Sequence, residues 1–153
     1  MYKLFVFMCV FFLTSCSGYS VGDGELWLRE NYGVANEIVL VSMKSTGIER
    51  VDLDGGGVGA SDDYINLQRM ARKIGVDSIE ISRSKVGSGF NGSIRLAIKS
   101  SGISTDGCLL AVSYINDGQR LDSLGAYAAV IKKIPEFDNW YVVIYGDKYN
   151  CTQ

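Results

Sequence analysis

The chain has 153 residues, a formal net charge of −2, four Cys and no His. That length suits one domain with one core, and a mildly acidic chain without a basic cluster is a poor partner for nucleic acid or anionic lipid headgroups. Without His there is no Ser-His-Asp or Cys-His catalysis and no His-ligated zinc, so an enzyme would have to work with carboxylates, Lys, Ser or Tyr.

The first element is a targeting segment. Lys3 precedes an unbroken apolar run from Leu4 to Leu13, and small polar residues follow at Thr14, Ser15, Ser17 and Gly18, which is the three-part layout of an export signal. A membrane-spanning helix needs about 20 apolar residues, and this run is about half that length with no basic stop after it.

The end of the run, Leu13-Thr14-Ser15-Cys16, resembles the lipobox of bacterial lipoproteins at all four positions. The resemblance implies that residues 1–15 are removed, that Cys16 is diacylated on its sulfur, and that its new amino group is usually acylated too. Two or three acyl chains anchor stably where one binds only marginally. Ser17 follows the Cys, where an Asp would be the usual inner-membrane retention signal of the Gram-negative pattern. The resemblance therefore implies the outer membrane, facing the periplasm. The alternative is an ordinary signal cut near Ser17 or Ser20, which would leave a soluble secreted chain.

Residues 16–24 are small, polar and Gly-bearing and read as a flexible tether, with one globular domain over residues 25–153. From Leu26 to Met43 the apolar residues fit either a helix broken near Gly33 or a helix followed by a strand at Ile38 to Val41, with helix favoured. Asp52 to Gly59 carries four glycines and reads as a loop. Ser61 or Asp62 then caps a helix to about Ile74, with acids Asp62 and Asp63 in its first turn, bases Arg69, Arg72 and Lys73 toward its end, and Gly75 just beyond. Tyr64, Leu67, Ala71 and Ile74 share one face, with Met70 beside them.

After this helix the apolar period changes from 3.6 to 2. Ile79 and Ile81 form one strand, and Ile94, Leu96 and Ile98 a second, joined through a Gly-rich segment at Gly87 to Gly92. A third strand covers Cys108 to Ile115 and exits at Asn116-Asp117-Gly118. Tyr127 to Ile134 suits strand or helix, and Trp140 to Tyr145 is a β-branched and aromatic final strand. The expectation is an α+β fold, with N-terminal helix or helices packed on a four- to five-stranded antiparallel meander. The closing segment, Lys132-Lys133-Ile134 to Asn139-Trp140-Tyr141, resembles the end of various small uncharacterised Gram-negative lipoproteins, which lend no function.

Cys9 leaves with the signal and Cys16 is the lipid site, so Cys108 and Cys151 remain as an expected disulfide in an oxidising compartment. The closed loop of some forty residues would contribute about 4 kcal/mol in the chain-entropy model.

Three motifs suggest chemistry and fall short of it. Gly87-Ser88-Gly89-Phe90-Asn91-Gly92 spells G-x-G-x-x-G, but a dinucleotide site needs a following helix, and a strand pattern follows here. Asp52, Asp54 and Asp63 fall on the first, third and twelfth places of a calcium loop, but the fifth place lacks an oxygen side chain and the twelfth is Asp rather than Glu. Ser82-x-x-Lys85 copies a penicillin-binding nucleophile pair, without the larger fold and further motifs those enzymes require. Ser82 reads instead as the solvent face of a strand.

The function expected from these residues is a non-catalytic, periplasm-facing binding module without a cofactor, anchored to the membrane through Cys16. Its partner would be an envelope protein, one version being a toxin that the domain blocks as an immunity protein. Tyr141, Val143 and Tyr145 share one face of the last strand and form the candidate binding face. The rival reading is an envelope enzyme using a carboxylate pair among Asp52, Asp54, Asp62, Asp63 and Glu80.

Overall fold

Ser20 starts the first helix. Its hydroxyl accepts from the Asp23 amide (3.2 Å), and the Asp23 carboxylate accepts from the Ser20 amide (3.1 Å), a reciprocal capping box. From this start α1 runs unbroken over Val21–Lys44. A computed structural model describes residues 18–55, 60–84, 90–101, 107–116, 128–146 and 151. The signal, Cys16, Gly56 to Gly59, Lys85 to Gly89, Asp117, Gly118 and Tyr127 lie outside them.

The expected tether is thus already helical from Val21. The cap explains why, and Gly24 adds a second reason. It is buried against Val142, where a Cβ would stand 2.7 Å from a valine methyl. The small residue lets the helix backbone lie close to the sheet, where the composition suggested only flexibility. Leu28, Ala35, Ile38, Val39 and Ser42 form the buried stripe of α1, and its helical spacing settles the choice left open between a helix and a helix plus strand.

Helix α1 ends where Ser45 returns both its amide and its hydroxyl to the Val41 carbonyl, at 3.0 and 2.8 Å. Arg83 completes the end from the sheet side, donating to the carbonyls of Ser42 (2.7 Å) and Ile48 (2.6 Å). A cation at a helix C-terminus satisfies carbonyls that have no partner within the helix.

Strand β1 is short, Arg50–Asp52, and meets the stretch expected as loop only at Asp52. Helix α2 spans Asp62–Lys73 with Ser61 as its cap, as its end signals predict. It buries Leu67, Met70 and Ala71. Gln68 and Arg72 reach back to the Leu53 carbonyl, holding the segment after β1 to the helix.

Four more strands follow β2, Ser78–Arg83: β3 (Gly92–Ser101), β4 (Cys108–Ile115), β5 (Ala128–Lys133) and β6 (Trp140–Tyr145). All neighbours are antiparallel, in the order β1-β2-β3-β4-β6-β5. The architecture is α+β, two helices on a six-stranded open antiparallel sheet. It is a meander only as far as β4, because β6 pairs with β4 and places β5 on the edge. The segment from Tyr127 to Ile134, open between helix and strand, is strand from Ala128 on.

Alternation gives the sheet two faces. Val51, Ile79, Ile81, Ile94, Leu96, Leu110, Val112, Trp140, Val142 and Ile144 point to the helices and form one continuous core with Leu28, Ile38 and Leu67. Tyr32 stacks on Phe137 with ring centroids 4.3 Å apart, and Tyr114 meets Trp140 edge-on at 5.6 Å. A bidentate pair of Arg29 with Glu136, 2.7 Å at both contacts, ties α1 to the turn between β5 and β6. This hydrogen bond, and then the carboxylate charge, raises the Arg29 pKa.

The Cys108–Cys151 disulfide is present, with Cα atoms 5.4 Å apart, a normal span for a bridge. Cys151 is fully buried, and its carbonyl accepts from the Tyr19 amide at 2.9 Å. The segment leading into α1 is thereby tied to the segment after β6. Among the described residues, no helix is long and apolar enough to cross a membrane.

Candidate functional site: the outer face of the sheet

Among the described residues both helices lie on the inner face, so function has to be sought on the other. Register places Arg50, Asp52, Ser78, Glu80, Ser82, Ser93, Arg95 and Ala97 outward on β1, β2 and β3. It places Leu109, Ala111, Ser113, Ile115, Tyr141, Val143 and Tyr145 outward on β4 and β6. Half of this face is charged and half is aromatic and apolar.

The charged half is one chain of contacts. Asp52 accepts from Arg50 Nε at 2.8 Å, and Arg50 donates its other arm to Glu80 at 2.9 Å. The second Glu80 oxygen accepts from Arg95. The Arg95 guanidinium lies 4.7 Å from the Tyr145 ring centroid, so it joins the ion chain to the aromatic half through a cation–π contact. Two shallow depressions flank the Arg50–Glu80 pair. One, of about 480 Å³, is lined by Ile81, Ser82 and Arg83 beside that pair. The other, of about 340 Å³, reaches Asp77, Ser100 and Leu109.

In the aromatic half, Ile115 and Val143 are buried in a small second cluster, with Ala128, Tyr141 and Tyr145 packed around them. Val143 is 0% exposed and so forms the floor under the two tyrosines. Of the expected binding face, Tyr141 and Tyr145 remain half-buried and reachable, while Val143 can act only by supporting them. Ser113, opposite both Arg95 and Tyr141 in the ladder, is also fully buried. Its hydroxyl has no hydrogen-bond partner.

Of the five expected catalytic acids, two converge. Asp52 and Glu80 come together around arginines; Asp62 and Asp63 open α2, where the Asp63 carboxylate lies 2.7 Å from the Ser45 hydroxyl, whose one proton it shares with the Val41 carbonyl. Asp54 is exposed beyond β1. Among the described residues no group of three His, Cys, Asp or Glu side chains is placed to hold a metal ion, and Gly56 to Gly59 of the calcium-loop pattern lie outside those residues. Ser82 is exposed on β2, as its alternation predicts.

Gly92 also has a structural reason to be glycine. A Cβ there would stand 2.0 Å from the Ser82 carbonyl oxygen, so this last glycine of the G-x-G-x-x-G pattern lets β3 start against β2. No phosphate-facing helix follows it.

Sequence reasoning missed Arg50, Arg95 and Ser113. The opposite charges of Glu80 and Arg95 on outward positions were a usable signal only once β2 and β3 were paired in register. Comparison with protein families, curated proteins and solved structures finds no match to this chain.

Proposed function

We propose that the mature chain is a lipid-anchored, non-catalytic binding module of the outer membrane, held through acyl chains on Cys16 and facing the periplasm. Its partner is a folded envelope protein, an incoming toxin blocked by an immunity protein being one concrete form. The observation that supports a binding role is the outer face, which carries no helix among the described residues. There Tyr141 and Tyr145 stand half-buried beside Arg95 and the Arg50–Glu80 pair. Tyr and Arg over a well-packed floor are the residue types that dominate protein interfaces.

The anchor is tested by expressing the full-length chain in bacteria with Cys16 intact and as Cys16→Ser, then comparing intact mass and membrane fractionation. The expected result is acyl mass and outer-membrane flotation for the first chain only. Equal masses and two soluble forms would overturn the lipoprotein reading. The binding face is tested by capturing partners from outer membranes with the acylated chain and with Tyr145→Ala plus Arg95→Ala. The double variant should lose a partner that the parent retains; equal capture would remove the outer face from the reading.

A further inference from the structure

Among the described residues, the first long-range contact lies very close in sequence to the proposed anchor. Tyr19 is bonded to Cys151 and Ser20 caps α1, so Cys16 precedes the pinned Tyr19 by only three residues. At 3.8 Å between successive Cα atoms, that is a reach of about 11 Å at most. Such a link is far too short to hold a domain away from a bilayer. The end of the domain that carries Tyr19 must stay beside the headgroups.

Register identifies that end. Cys151 is bridged to Cys108, the first residue of β4, and Cys108 pairs with Ser101, the last of β3. Tyr145, the last residue of β6, lies opposite both Leu109 and Ala128. Arg83, by contrast, lies at the other end of the sheet and holds the C-terminus of α1 there. We infer that the domain sits end-on on the phospholipid surface, with the first turns of α1 and the disulfide end of the sheet at the headgroups and the C-terminus of α1 pointing away. The inference rests on acylation of Cys16 and adds an orientation to it.

End-on is favoured over flat by the exposed flank of α1. Leu26, Glu30, Gly33, Glu37 and Leu40 are all exposed at helical spacing, so a flat helix would press two carboxylates against lipid phosphates. Held end-on, only Leu26 of that stripe is near the surface, where an apolar side chain that is 57% exposed gains by entering the headgroup boundary. A mildly acidic domain has no charge attraction to draw it to anionic lipid, so the contact comes from the length of the link.

Leu26 and Leu40 make a matched pair for the test. They are fourteen residues apart, close to four turns, so they share a face and differ by about 21 Å along the axis. Both are exposed, at 57% and 50%. With Cys16 acylated and Cys108 bridged to Cys151, Leu26→Cys or Leu40→Cys supplies one free thiol for a fluorophore. The acylated protein is placed in phosphatidylcholine–phosphatidylethanolamine vesicles containing a headgroup-nitroxide quencher, after intact mass has established acylation. Quenching should be several-fold stronger at position 26 than at 40. Inserting a Gly/Ser linker of about 20 residues before Gly18, with a reach of about 25 Å, should erase the difference. Equal quenching at the two positions of an acylated, native-length chain overturns the orientation and leaves the anchor standing. A chain without acyl mass overturns both.

Discussion

Strand β6 sends Trp140, Val142 and Ile144 toward the helices and Tyr141, Val143 and Tyr145 away from them, and the two sets meet different surroundings. On the inner side the neighbours are apolar along the whole sheet, from Val51 on β1 to Ile144 on β6. On the outer side the same strands present an ion chain, a buried serine and two half-covered tyrosines. A face that only has to close a core can be uniform, because hydrophobic burial is non-directional. A face with mixed charges and aromatics over a floor of Ile115 and Val143 is specified position by position.

That contrast is sharpest in stability measurements. Trp140→Ala should have the largest effect: the ring is 1% exposed and packed edge-on to Tyr114, so urea unfolding should show a loss of about 3–5 kcal/mol. A loss below about 1 kcal/mol would mean that the inner face does not govern the fold. On the outer face, Ser113→Ala should run the other way and raise stability by about 1 kcal/mol, because it removes a buried hydroxyl that lacks a partner. A lower melting temperature for Ser113→Ala would show that the hydroxyl is used. Arg50→Ala should have the smallest effect. Its side chain is 56% exposed, so losing its ion pairs should shift unfolding by less than about 1 kcal/mol. A much larger shift would make the ion chain part of the scaffold rather than of the proposed recognition surface.

The elements that were legible in the sequence are those whose signals are local. Helix α2 announces itself by Ser61, its paired acids and its terminal bases, and β2 and β3 by strict alternation of Ile and Leu with polar residues. Strand β1 is three residues long, too short for a period of two to show, and its neighbouring glycines pointed to a loop. In α1 the narrow buried stripe and Gly33 blurred the helical period, and the capping box lay inside a stretch that composition assigned to a tether. The β4-β6 pairing is non-local and leaves no mark on either strand. The outer face was only half legible for the same reason: alternation put Tyr141, Val143 and Tyr145 together, but the Asp52–Arg50–Glu80–Arg95–Tyr145 chain crosses several strands and exists only in register.

The strand order also sets a timetable. A chain delivered from its N-terminus supplies β3 and β4 early, yet the strand that covers the free edge of β4 is β6, which arrives after β5 and a further turn. Until Trp140 to Tyr145 emerge, β4 presents an unpaired edge of the kind that other chains can add to. The bridge waits longer still, because Cys151 lies beyond β6. Closure of this fold therefore waits for residues beyond β6, and the Cys108–Cys151 bond records that β5 and β6 have been delivered.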